Sequence, residues 1–428
     1  MAAVLLTLLL TGTGCGDGRQ ADPVHTSQSE GTAHAPQAEG TDTAVKTGVL
    51  DSGYFFEEDG ILLRKEEYFL YSDWEPVEFD YICMDPTCSH GNESCSAGVV
   101  QDEESALMDF SLLYQDRLII LHACYQYVDN DTSKEVWDYS NVYQTEVYEA
   151  DPDGSNRRKM ATFPGSIGSN TVSHVAVLMG GKLYFGGPTE VRDIVDQDIQ
   201  GEQAIKILTN YAVYCLDLND YTVETFAVEE NKEGGYQYQI YEYDGMIYAI
   251  ISNCENSAVW YRLNPGTGVC EEILRFDTDV PMFEGAIGDT VYYWYLGSEK
   301  TFYARDIAAG AEEREIMEVT GGTMMVIPLI VDGQVLCMAD SRFGGEDSMA
   351  EYTVFDPDGN VLDTIRYDDY ITFLDVVGDK ILYYKLNSDF VWEIWWADKK
   401  DLTDLTEKGV RIGSFFKVDT PGDQDNID

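Results

Sequence analysis

Four residues in the segment YICMDPTCSHGNESC have the types and the density of a chemical site. Cys83, Cys88, His90 and Cys95 fall within thirteen positions, spaced C-x4-C-x-H-x4-C. Three thiolates and one imidazole are the donor set of a closed tetrahedral zinc site, and Pro86 and Gly91 supply the turns that would bring them together. In an oxidising compartment the same thiols could instead form one local disulfide and leave one cysteine over. The sequence leaves structural zinc and a disulfide both open. Either role is structural, because a catalytic metal needs an open coordination position and this set fills all four.

The other candidate groups point away from catalysis. Cys124, Cys215 and Cys337 stand singly in apolar strand-like runs, where a cysteine acts as a small hydrophobe. Cys254 and Cys270 flank one strand, and at about 3.3 Å per residue they sit roughly 15 Å apart, beyond the ~7 Å reach of a disulfide. Five such unpaired thiols describe a protein that does not depend on disulfides. Of the five histidines, His25 and His34 fall in a polar stretch and His90 in the cluster. His122 and His174 have no nucleophile motif beside them and read as core or rim residues. A GxSxG elbow and a phosphate-binding glycine loop are both missing. The DPDG sequences at Asp151 and Asp356 lack the rest of a calcium loop and read as hairpin turns. No catalytic residue is nominated.

Positioning falls to the rest of the chain. Its 428 residues carry 44% apolar and 12% aromatic side chains, with 29 Tyr and 38 Gly, a composition suited to many strands and tight turns. The formal charge of −51 repels phosphate backbones and anionic lipid head groups, which argues against nucleic-acid binding.

At the amino terminus, MAAVLLTLLLTGTG followed by Cys15 has the layout of a signal peptide ending at its cleavage site, too short to span a bilayer. We expect residues 1–14 to be removed, Cys15 to carry lipid, residues 15–47 to form a flexible tether, and residues 418–428 to form an acidic tail. The expected setting is extracytoplasmic, with the chain tethered to the cell membrane as a lipoprotein and touching the membrane through the lipid alone.

Between tether and tail a turn followed by an apolar strand recurs seven times, beginning EDGILLRKE at 58, YQDRLIILHA at 114 and MGGKLYFGG at 179 and ending VGDKILYYK at 377. Aligned on Gly60, Asp116, Gly181, Gly245, Gly288, Gly333 and Gly378, the spacings are 56, 65, 64, 43, 45 and 45. The last three match one four-stranded propeller blade of about 40–50 residues. The expected fold is all-β: a single seven-bladed β-propeller of four-stranded antiparallel blades spanning residues 48–417. Two segments with helical character, 308–319 and 398–408, fall where the fifth and seventh blades need a turn and an outer strand, and are read as such.

The extra length in the early repeats falls in the crossover 83–108 and in loops at 128–141 and 188–203, joined by a smaller loop at 340–349. Strand order puts all of these on one face. Long loops on a rigid scaffold carry recognition, so Tyr127, Trp137, Tyr139, Arg192 and Phe343 are the candidate ligand contacts.

The repeats, the DPDG turns and the stretch with Cys83, Pro86, Cys88, His90 and Cys95 resemble those of uncharacterised β-propeller lipoproteins of Gram-positive gut anaerobes, in which a Cys/His-rich crossover follows the first blade. The resemblance covers residues 48–417 and implies the same fold and location. It brings no activity with it. Function is therefore expected to be non-enzymatic recognition of a protein, peptide or glycan by a monomer, with an extracytoplasmic polysaccharide hydrolase or lyase, its site in the axial funnel, as the alternative.

Overall fold

The computed structural model describes residues 46–417 apart from 52–53, 58–59, 66–67, 91–94, 100–107, 131–136, 168–173, 198–202, 234–236, 253–256, 279, 296–300, 309, 319–327, 343–347 and 388–390. The expected leader, Cys15, the tether up to residue 45 and the acidic tail lie outside the described residues, as do His25, His34, Cys254 and Phe343. Among the described residues no helix is long and apolar enough to cross a membrane.

Hairpins begin where the sequence puts small or carboxamide residues. Both central turn residues have positive φ at Gln115–Asp116 (49° and 57°), Gly180–Gly181 (58° and 74°), Asp244–Gly245 (52° and 75°) and Asp332–Gly333 (49° and 73°). This is the type I′ geometry whose twist matches that of the strands it joins. The β-branched and aromatic runs that follow pair as antiparallel ladders.

The first three repeats contain β1 (Lys46–Asp51), β2 (Tyr54–Glu57), β3 (Gly60–Lys65), β4 (Tyr68–Asp73) and β5 (Asp80–Tyr81), then β6 (Met108–Tyr114), β7 (Arg117–Asp129), β8 (Trp137–Ala150) and β9 (Arg158–Pro164), then β10 (Ala176–Met179), β11 (Lys182–Gln197), β12 (Gln203–Asp217) and β13 (Val223–Glu233). The later repeats, at 237–276, 281–318, 329–367 and 370–417, are four separate four-stranded antiparallel meanders, as the spacing predicts.

The early repeats depart from seven separate blades. Their thirteen strands form one continuous sheet, joined in two places. β1 is hydrogen-bonded to β2 on one side and to β10 on the other, from Lys46 opposite Met179 to Leu50 opposite Ala176. Farther out, β8 pairs with β11, from Val142 opposite Glu190 to Trp137 opposite Val195. An extra strand and two overlong hairpins thus use edges that a separate blade leaves free. The architecture is all-β and propeller-like, with four blades and one composite sheet.

Neighbouring sheets bury one another's apolar faces. One core joins Phe56 and Trp74 of the first repeat to Tyr184 and Tyr211 of the third, Ile247 of the fourth and Trp396 of the last. A second packs Phe55 and Phe69 against Ile119 and Val147 of the second repeat and Phe185 and Tyr214 of the third. Trp260, wholly buried between the fourth and fifth repeats, touches Phe276, Phe283 and Tyr293. Burying a side chain of that size contributes about 2–3 kcal/mol.

The reading of 398–408 needs correction. Its helical character is real: a 3₁₀ turn at Lys399–Asp404 and a helix, α1 (Leu405–Lys408), stand between the third and fourth strands of the last repeat. Tyr367 donates to Leu402 O (2.6 Å) and Tyr383 donates to Leu405 O (2.9 Å), which also accepts from Gly409 N–H (3.0 Å), so two buried phenols fasten this turn to the strands beneath it. At 314–318 the fifth repeat has the outer strand expected there.

Candidate functional site

Cys83, Cys88, His90 and Cys95 converge, with their ligand atoms all within 4.8 Å of one another. Local turn chemistry does this. Asp85 Oδ1 accepts from the N–H and hydroxyl of Thr87, both at 2.8 Å, and Cys88 N–H donates to Asp85 O at 3.1 Å, so the chain reverses over Pro86. His90 has φ of 45°, its ring stacks on Tyr81 at 4.7 Å, and its Nδ1 lies 3.6 Å from Cys95 Sγ. Cys83 and Cys95 are buried and all three thiols are free.

The donor set fits a metal ion. A tetrahedral site with Zn–S bonds of about 2.3 Å has edges of about 3.8 Å, so a small contraction would close this one. The Cys83 thiol is drawn down to about 7, chiefly by the Ser96 side chain and then by the Asp85 N–H, while burial pushes Cys95 up to about 11. Three thiolates this close repel one another, and a divalent cation removes that cost. Cys3His ligation leaves no position for substrate, so a bound ion would hold the loop and perform no chemistry.

The cluster does not follow the outer strand of the first repeat; it interrupts it. Ile82 N–H donates to Phe69 O before the loop, and Phe69 N–H donates to Ala97 O after it. Beyond Cys95 the chain docks on the turn after β8: Ser96 Oγ donates to Asp153 O at 2.6 Å, and Arg157 Nη2 donates to Ser96 O at 2.7 Å and to Gly98 O. This turn is at the opposite end of β8 from residues 137–142. The described part of the crossover therefore does not share a face with the other insertions as strand order suggested.

Those insertions are mostly strand and not loop. β7 runs to Asp129 and β8 starts at Trp137; β11 runs to Gln197 and β12 starts at Gln203. Two hairpin arms result, and the β8–β11 ladder joins them edge to edge. Ladder partners share a face. One face therefore carries Tyr125 and Tyr143, Tyr127 and Asn141, Asp129 and Tyr139, and, across the junction, Val191 and Asp193. Tyr127 stacks on Tyr139 (5.4 Å, 28°) and Tyr125 tilts against Tyr143 (6.1 Å). Tyr127 is 59% exposed and Tyr125 37%. Burial lifts the Tyr143 phenol to about 12; burial, then a hydrogen bond to Asp193, raises that of Tyr139.

The opposite face is polar and internally paired. Arg192 grips Asp138 through Nε (2.7 Å) and Nη2 (2.5 Å), Ser140 donates to Glu190 (2.6 Å), and Asn130 and Asn210 donate to Ser140 and Glu190. Of the candidate contacts, the fold thus assembles Tyr127 and Tyr139 on one face and turns Arg192 to the other. Trp137 lies in the ladder opposite Val195, and its side chain is outside the described residues.

Sequence reasoning missed Tyr125, Tyr143 and Asp193. Their signal was the two-residue alternation of YQYVD and the tyrosines of DYSNVY. It also missed Glu284, a buried carboxyl that accepts from Trp294 Nε1. His122 is buried on β7, and His174 packs on Tyr241 at 4.3 Å.

No protein-family model matches the chain, and no curated protein matches it. Similar solved structures include a prolyl endopeptidase (14% identity, TM-score 0.40, covering 88% of this chain and 50% of that one) and prolyl oligopeptidase B from Galerina marginata (10%, 0.44, 87% and 51%). An oligogalacturonate lyase from Vibrio parahaemolyticus is also similar (12%, 0.35, 68% and 73%). The chain spans about half the length of the first two.

Proposed function

We propose that the protein is a non-enzymatic recognition module at the cell surface, built as a seven-repeat propeller whose first three repeats are fused, held by a lipid on Cys15 and acting as a monomer. The observation that carries this reading is the joined pair of hairpin arms, with tyrosines stacked on a partly exposed face while the opposite face satisfies its own polar groups. A rigid ladder fixes the rings before a ligand arrives, which lowers the ordering cost of binding. Zinc at Cys83, Cys88, His90 and Cys95 has a structural role here, fastening the first repeat to the second. The ligand is a protein, a peptide or a glycan.

The test is a peptide and glycan array probed with the full chain and with Tyr127→Ala. Retention of a ligand class that the variant loses supports the reading. Binding indifferent to the variant, or no binding at all, overturns it. Polysaccharide turnover abolished by His174→Ala would favour the hydrolase or lyase alternative.

A further inference from the structure

We infer that the edge of β7 at Tyr125 and Tyr127 takes an extended peptide, added to the arms as a further antiparallel strand with alternate side chains laid against the two tyrosines. The inference rests on the recognition reading above and names the ligand class and how it is held.

Backbone direction singles out this edge. Asn130 N–H donates to Asp138 O at 2.8 Å, and along an antiparallel strand successive residues bond alternately to one neighbour and to the other. Val128 and Gln126 therefore bond to β8, while the N–H and C=O groups of Tyr125 and Tyr127 point to the far side. β6 fills that side only as far as Ala123, which stands opposite Met108. Among the described residues no strand continues the ladder past it. The devices that blunt an exposed edge are missing too: residues 125–128 hold no charge and no proline, and the β7–β8 register runs from Leu118 opposite Ala150 to Asp129 opposite Tyr139 without a bulge. The other edge of the arms, at 203–207 of β12, carries Lys206.

The residues with outward backbone are also those with exposed rings. A strand added about 4.8 Å from β7 would place the residues opposite Tyr125 and Tyr127 on the tyrosine face, where ladder partners touch. β-Branched or aromatic side chains suit those positions, and the residue between them turns to the side of Gln126 and Val128. Ring stacking alone would serve a sugar as well, but only a polypeptide offers N–H and C=O groups at ladder spacing, so the edge selects a peptide. The arms themselves are joined in this way, since β8 and β11 come from different hairpins and meet edge to edge.

The experiment uses the full chain and a fluorescent peptide, Lys-Val-Ser-Val-Ser-Val-Lys, with two controls of identical side chains, one N-methylated on its valines and one on its serines. Anisotropy should show the parent and the serine-methylated peptide bound alike, and the valine-methylated peptide weakened about tenfold or more, because only the latter loses the donors that face β7. Tyr127→Pro should weaken the parent peptide similarly; its missing N–H lies on the outer edge, so the β7–β8 ladder is kept, and denaturant unfolding checks that the fold is too. Equal binding of the two methylated peptides, or no peptide binding, overturns the inference. So does sedimentation that finds the chain dimeric and Tyr127→Pro monomeric, which would give the edge to a second copy. A glycan bound by the parent and lost on Tyr127→Ala, with no peptide bound, overturns it while leaving the recognition reading intact.

Discussion

The indole of Trp74 meets that of Trp396 edge-on, with centroids 5.3 Å apart and planes at 65°, and the Lys380 ammonium lies 5.5 Å from the centre of each ring. Trp74 follows β4 in the first repeat and Trp396 belongs to the last, so residues more than three hundred positions apart share one buried contact. Trp74 also donates through Nε1 to Glu57 O at 2.9 Å.

This contact should behave as a clasp. Replacing either indole by alanine empties a buried volume that neighbours cannot refill, at a cost of about 3–5 kcal/mol. Replacing both should cost less than the sum, with a coupling of about 1 kcal/mol, because the first substitution already breaks the shared contact. Denaturant unfolding of Trp74→Ala, Trp396→Ala and the double variant measures it. Strict additivity would mean that the two rings stabilise their own repeats independently.

Gly154 ties the metal loop to the second repeat. Its φ is +79°, and a Cβ there would sit 2.0 Å from Ser96 O, in the residue next to Cys95. Gly154→Ala should therefore pay both backbone strain and a clash, about 2–3 kcal/mol together. Gly268→Ala is the control, since Gly268 has φ of +69° and open space around it. Purified under reducing conditions, the parent should carry close to one zinc per chain and Cys95→Ser much less. Gly154→Ala should release zinc to a chelator faster than Gly268→Ala does. Equal release from the two would separate the docking turn from the metal loop.

How far the sequence discloses this arrangement depends on how local each determinant is. The repeat turns were legible because a two-residue hairpin is decided by its two central residues: Asp116, Gly181, Gly245 and Gly333 complete type I′ pairs, and Gly288 and Gly378 adopt positive φ at the first central position of theirs. Gly60 fits the same pattern under a different constraint: it begins β3, where a Cβ would lie 2.1 Å from Tyr71 Oη. The convergence of Cys83, Cys88, His90 and Cys95 was likewise written in short-range spacing. The fusion of three repeats was not, because the apolar alternation of β1 is the same whether one edge or both find a partner. The arms looked like loops because Asp, Asn, Ser and Glu depress strand propensity, and the ladder that overrides them comes from a hairpin some fifty residues away. Burial of a lone carboxylate is decided by neighbouring sheets and leaves no local trace.

Glu284 is such a group, and its titration should be visible in stability. The ladder steps from Phe283 opposite Tyr293 to Gly285 opposite Tyr292, which leaves Glu284 as the extra residue of a bulge, 8% exposed, with Trp294 Nε1 as donor to its carboxyl. Burial pushes its pKa well above the usual carboxylate range, so the folded protein keeps the proton that the unfolded chain gives up above about pH 4.5. The folded state then binds more protons than the unfolded state, and this residue's contribution to stability falls as pH rises from about 4.5 toward its folded pKa, by about 1.4 kcal/mol per pH unit. Glu284→Gln keeps an acceptor for Trp294 and removes the titration. Urea unfolding of parent and variant from about pH 4.5 upward should give curves that diverge with rising pH until the folded pKa is reached, the variant gaining relative to the parent. Parallel curves would show that the carboxyl is ionised within the folded protein, and the inner strand of the fifth repeat would then have to stabilise a buried charge by contacts beyond the single indole.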